Sequence, residues 1–173
     1  MVIAGYRRIA GLLSRTPDTA LLVVRVVLGG LMLLHGLNKF RAPGGVPGFQ
    51  HVLTTMPNVP FPGITGVILP WVELLGGAML VIGALARVAA IVLAGEMAII
   101  AVLVKFADMH AGLITTGKGS SAEEEFLYIA GLLVVFLLGP GRLSVDALAR
   151  LETRAPVTDH RPRASQPTTS LPG

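Results

Sequence analysis

Three ionisable side chains, Arg25, Glu73 and Glu96, sit inside apolar runs at 21–40, 64–86 and 88–104, and Glu123, Glu124 and Glu125 open a further run that ends at 138. His35 and Lys39 lie towards the end of the first run, and Trp71 stands just before Glu73 in the second. A charge at bilayer depth costs about 2.5–3.5 kcal/mol on insertion scales, so such residues face protein or a water-filled cavity. These residue types could do one of two things. A buried ion pair neutralises its own charge and holds helix register. Donors gathered around a carboxylate in an apolar slot could instead hold a carbonyl-bearing ligand such as a quinone, with His35 and Lys39 donating to its oxygens and Glu73 accepting or relaying protons.

Depth sorts the residues into two groups. At about 1.5 Å per residue, Glu73 lies about nine residues below the outer end of its run, His35 lies about five below the outer end of the first, and Lys39 is near its rim. His35, Lys39, Trp71 and Glu73 are therefore expected to line a polar cavity that opens outward. Arg25 and Glu96 lie about six and eight residues above the inner ends of their runs, which predicts a second, deeper pair with a structural role. No catalytic residue can be assigned in either group. His35, His51 and His110 fall on separate segments without metal-ligand spacing, so no metal site is expected. Lys105 and Asp108 are spaced for a local pair.

The elements that must position these residues are transmembrane helices. The chain of 173 residues is 53% hydrophobic and only 14% charged, against roughly a quarter charged in soluble domains. Four runs of about 17–23 apolar residues come close to the length that spans a hydrocarbon core. The expected fold is all-α: a polytopic membrane protein with four transmembrane helices in a bundle and flanking amphipathic helices. Residues 1–15 read as an interfacial amphipathic helix and 19–139 as the membrane domain. Residues 140–154 read as a cytoplasmic amphipathic helix capped by Ser144, and 155–173 as a disordered tail. Thr16-Pro17-Asp18 reads as a helix start. The Pro- and Gly-rich stretch 41–63 ends the first helix, with room for one or two helical turns over 49–56. Pro70 should kink the second span. One unbroken helix over 64–104 would be about 60 Å long, twice the hydrocarbon core, so a tight turn is required near 83–87. Ser121-Ala122-Glu123-Glu124 has the capping-box pattern, and Gly139-Pro140-Gly141 is a stop. Gly29-Gly30, Gly36, Gly76-Gly77 and Gly83 are read as sites of close helix packing.

Composition also narrows the function. The chain has no cysteine, which rules out disulfides, dithiol electron transfer and thiolate-bound iron–sulfur clusters. Its net charge is +4, but the basic residues cluster at the membrane flanks without a recognition motif. Membrane lipid is therefore the expected partner, and nucleic acid is not. Arg7, Arg8, Arg15, Arg142, Arg150, Arg154, Arg161 and Arg163 flank the bundle on the side that also holds Arg87, which by the positive-inside rule places both termini in the cytoplasm.

Arg25 and Gly29, His35-Gly36 and Lys39-Phe40 mark the first helix; Glu73, Gly76-Gly77, Leu80 and Gly83 mark the second and lead to Arg87. Gly139-Pro140-Gly141-Arg142-Leu143-Ser144-Val145-Asp146 follows the last run. In this order the motifs resemble the DoxX family of small four-helix bacterial membrane proteins, over about residues 21–146. The resemblance implies a plasma-membrane protein linked to redox metabolism, since the family name derives from a subunit of a thiosulfate:quinone oxidoreductase. The expected function is a membrane subunit supporting a quinone-linked redox system, with no covalent cofactor and with electrons supplied by a partner enzyme. If the chain is itself an enzyme, it is a quinone-linked oxidoreductase subunit. Two alternatives remain at this point: a small-molecule transporter or channel-like homo-oligomer using the same charged cavity, and a purely structural assembly factor.

Overall fold

The computed structural model describes residues 17–114 and 120–149. The chain is an all-α, multi-span membrane bundle. Helix α1 covers Pro17–Arg41, α2 Gly45–Thr54, α3 Pro62–Ile82, α4 Ala86–Ile99, α5 Glu123–Leu138 and α6 Val145–Leu148, and α4 runs on as a π-helix over Ile100–Asp108. Among the described residues, three segments are long and apolar enough to cross a membrane: Pro17–Arg41, Pro62–Ile82 and Ala86–Asp108. The last apolar run forms α5, whose 16 residues cover about 24 Å, short of a hydrocarbon core of about 30 Å. The interfacial helix expected over 1–15 and the tail over 155–173 lie outside the described residues. Of the segment 140–154, residues 140–149 are described and hold the single turn α6, where Ser144 Oγ accepts from the Ala147 amide at 3.1 Å.

Glycine sets the closest helix contact, between α1 and α3. A Cβ on Gly36 would lie 2.6 Å from the Leu74 amide nitrogen and 2.7 Å from the Pro70 carbonyl oxygen, and a Cβ on Gly77 would lie 2.5 Å from the Leu33 nitrogen. Any larger residue at these positions would push two backbones apart, so Gly36 and Gly77 are packing glycines, as expected; Gly30 is not, since a Cβ there would meet nothing within 4 Å. On the other side of the bundle, Ala86, Ala89, Ala90, Leu93 and Met97 of α4 form the core with Met32, Leu80, Leu132 and Val135. The outward faces carry Val23, Val27, Val88, Ile99, Leu127 and Leu137, all about half exposed or more, as the hydrocarbon requires of lipid-facing positions.

The turn demanded by length between α3 and α4 falls at Gly83-Ala84-Leu85. Gly83 (φ 71°) and Leu85 (φ 46°) both adopt left-handed backbone, which costs a leucine more than a glycine. Two hydrogen bonds from Asp146 hold the turn: its Oδ1 accepts from the Leu85 amide at 2.7 Å and its Oδ2 from the Ala86 amide at 2.9 Å. Asp146 thereby caps the amino end of α4. At the opposite helix end, Arg87 donates to the carbonyls of Phe136 and Leu137, which close α5, where a cation complements the dipole. The start of α5 departs from the expected capping box. Ala122, in place of Ser121, is its N-cap. Helix α2 is longer than the one or two turns expected, because Gly44 (φ 80°) and Gly45 (φ 57°) make the sharp entry and Gln50 Nε2 ties it to the Gly63 carbonyl at 2.7 Å.

Candidate functional site

The contact of Gly36 with the Pro70–Leu74 backbone brings the end of α1 against the middle of α3, and Lys39 and Glu73 meet there. Lys39 Nζ donates to Glu73 Oε2 in a salt bridge, with Glu73 1% exposed and Lys39 18%. The ammonium also stands 5.3 Å from the centre of the Phe49 ring of α2, a cation–π distance. One turn earlier on α1, His35 sets its ring edge-on to Tyr128 of α5, 5.8 Å between centroids. These residues border a cavity of about 230 Å³, together with Glu124 and Glu125 and the apolar Leu53, Leu69, Met97 and Ile100. Helix α2 thus acts as one wall, placing Phe49 and Leu53 over the polar group.

The structure brings together His35, Lys39 and Glu73 but not Trp71. Trp71 is 48% exposed, packs edge-on against Phe40 at 5.0 Å, and borders a different, apolar groove with Val67, Ile68 and Val92. The reason is helical phase: two residues turn about 200° around the axis, so Trp71 and Glu73 leave α3 on opposite faces.

Arg25 and Glu96 are likewise not brought together. Arg25 is fully buried and donates through Nη2 to the Leu143 carbonyl at 2.5 Å, with Asp146 as its electrostatic neighbour. It packs against the α3–α4 turn so tightly that a Cβ on Gly83 would collide with its guanidinium. Helix α1 begins about two turns below that turn, so Arg25 is level with Gly83. Glu96 stands about eleven residues beyond Leu85, or ~16 Å above the turn. Glu73 stands about ten residues before Gly83, so the antiparallel hairpin carries Glu73 and Glu96 to one depth. Both, with Lys39, belong to a single electrostatic group.

Two functional-site residues, Tyr128 and Glu125, were not expected from sequence. Glu125 is 7% exposed, borders the cavity, and lies 3.5 Å from Lys105 of the π-helix. Lys105 also donates to Ser120 Oγ at 3.2 Å, while Asp108 accepts from the Asn58 backbone and side-chain nitrogens at 3.2 and 2.6 Å. The expected Lys105–Asp108 pair is therefore replaced by two longer-range contacts, because the π-helix abandons the α spacing on which the expectation rested. Of the three acids that open α5, Glu123 and Glu124 are exposed and Glu125 turns inward. A helical-wheel reading of 125, 128, 132 and 135, whose described members line the inner face, is the signal that would have found it.

In chemical terms the cavity offers an ammonium, an imidazole and a phenol as donors and two inward carboxylates as acceptors, enclosed by apolar side chains within a membrane span. Among the described residues, no three His, Cys, Asp or Glu side chains converge as a metal-ligand set. The sequence profile of the DoxX family matches residues 20–106 of the chain, a segment that contains α1 to α4 and most of the π-helix. An uncharacterized membrane protein of Mycobacterium tuberculosis is 29% identical over 150 residues, which is 83% of this chain and 88% of that protein. No solved structure matches the chain.

Proposed function

The chain belongs to the DoxX family, and from that premise we propose that it is a membrane subunit supporting a quinone-linked redox system, with the Lys39–Glu73 cavity as the seat of the quinone headgroup. The observation that carries this reading is the position of the ion pair: Lys39 and Glu73 face a void of about 230 Å³ instead of being closed off by packed side chains. A headgroup there would receive hydrogen bonds from Lys39 and from His35 or Tyr128, and Glu73 and Glu125 would accept or pass on protons. Without cysteine, the electrons come from a partner enzyme docked on the same membrane.

In this reading α5 is the fourth span. Its short apolar stretch is accommodated by local thinning of the bilayer and by the acids at its start reaching the headgroup layer. The basic flanks then set both termini in the cytoplasm of a bacterial plasma membrane, and the cavity opens to the outer side. The test is purification in native lipid, with mass spectrometry for copurifying enzymes and extraction of bound quinone, followed by electron transfer to a soluble quinone analogue. Glu73→Gln and His35→Ala are each expected to lower the rate about 10-fold or more, as loss of about 1.4 kcal/mol of ligand contact would. Normal assembly with unchanged electron transfer in both variants would remove the cavity from the reaction.

A further inference from the structure

Behind Glu73 lies a second carboxylate that neither the ion pair nor the packing accounts for. Glu96 is 7% exposed, and neither of its oxygens accepts a hydrogen bond from an N–H or hydroxyl donor among the described residues. Buried carboxyl oxygens normally have one. Its polar neighbours are Glu73 and Lys39; the Glu73 carboxyl can meet one Glu96 oxygen only by sharing a proton with it, and the only amine among the three is already engaged by Glu73. Glu96 forms part of the lining of a groove of about 410 Å³ between α3 and the α4–π segment, walled apart from Glu96 and Thr65 by apolar residues such as Val72, Val92 and Ile99. Val92 and Ile99 are about half exposed on spans that the hydrocarbon surrounds, so the groove opens sideways into the bilayer. It shares Leu53, Leu69, Ile100 and Val104 with the polar cavity, so one layer of side chains separates the two.

We infer that this groove is a lateral entry from the bilayer for an apolar-tailed ligand bearing a carbonyl or hydroxyl oxygen, with the tail against Val92 and Ile99 and the oxygen at the Glu96 carboxyl, which donates to a carbonyl when it carries its proton and accepts from a hydroxyl when it does not. The ligand class rests on the quinone reading above; the route and the contact residue are additional to it. A plain acyl chain would fill the groove but bring no hydrogen bond to Glu96, and a water-soluble ligand would gain nothing from its walls. Two local features keep the groove open. Gly95 supplies no side chain, and a Cβ there would meet nothing within 4 Å. The π-helix begins at Ile100, and its wider turns, a form that recurs at functional sites, carry Ile100 and Val104 along the wall between the two voids.

The full chain in lipid nanodiscs, labelled with a photoreactive alkyl-benzoquinone and mapped by peptide mass spectrometry, tests the assignment. The wild type should label on residues 92–100, and excess unlabelled alkyl-benzoquinone should compete. Gly95→Phe fills the groove and should lower that labelling about 10-fold; Gly95→Ala should leave it unchanged and controls for folding. Glu96→Leu should lower it similarly, and Glu96→Gln, which keeps a hydrogen bond, should retain most of it. Competed labelling confined to Phe49 or Met56 and indifferent to Gly95→Phe would overturn the lateral entry and leave the cavity reading standing. A groove found to hold a phospholipid chain that the benzoquinone does not displace would also overturn it. No competed labelling anywhere would remove the quinone reading itself.

Discussion

Arg25 and Asp146 at one end of the bundle, and Lys39, Glu73, Glu96 and Glu125 at the other, are buried charges in opposite circumstances. Both Asp146 oxygens accept backbone amides of the α3–α4 turn, its own amide donates to Gly83 at 3.0 Å, and Arg25 donates to the Leu143 carbonyl against a glycine that leaves no room for a side chain. This end fastens the segment after α5 to the turn and is filled by what it fastens. At the other end, the Lys39–Glu73 pair borders a void. Glu96 and Glu125 keep oxygens that accept from no donor among the described residues, and although Arg25 Nε and Nη1 at the first end are also unbonded among them, they lie against the packed Gly83 turn. Burial alone therefore says little about role. A buried charge met by backbone and close packing is structural, and one left beside open volume has capacity for a ligand.

The contrast can be broken by substitution. Asp146→Ala should have the largest effect on stability, because it uncaps α4, releases the left-handed Leu85 turn and leaves Arg25 buried without a counter-charge. A loss of about 3–5 kcal/mol is expected, read as a lowered unfolding temperature in detergent; wild-type stability would show that the latch fastens nothing. Lys39→Met should follow, at about 2–4 kcal/mol, since it strands Glu73 in the core. Adding Glu73→Gln should recover much of that loss in the same melt, while quinone-dependent electron transfer stays impaired. The smallest term is the coupling between Arg25→Leu and Glu96→Leu. With the two sites ~16 Å apart in depth, a double-mutant cycle should give less than about 0.5 kcal/mol. A larger coupling would join the two ends into one network.

Much of the site was legible in the order of residues, and the misplacements have definite causes. Lys39 meets Glu73 where depth counting put them. Trp71 was grouped with them by depth alone, and the 200° between positions 71 and 73 carries it to the other face of α3. The Arg25–Glu96 pairing assumed that the inner ends of the helices were level, and α1 extends below the turn. Counting Glu73 and Glu96 from their shared turn, instead of from separate run ends, would have put them at one depth. Glu125 stood in the sequence only as one of three acids that open the last run, although its phase on α5 differs from that of its neighbours.

Taken by itself, the sequence determined that the chain crosses a membrane, where it must turn, and which helices could approach closely. Those properties follow from apolar run length, from chain stiffness and from the absence of side chains at Gly29, Gly36 and Gly77. Only the tertiary structure decided which buried charge met which. Helix phase, the unequal reach of α1 beyond the α3–α4 turn, and the π-helical stretch after Ile99 set those partners, and none of the three is fixed by how far apart two residues lie along the chain.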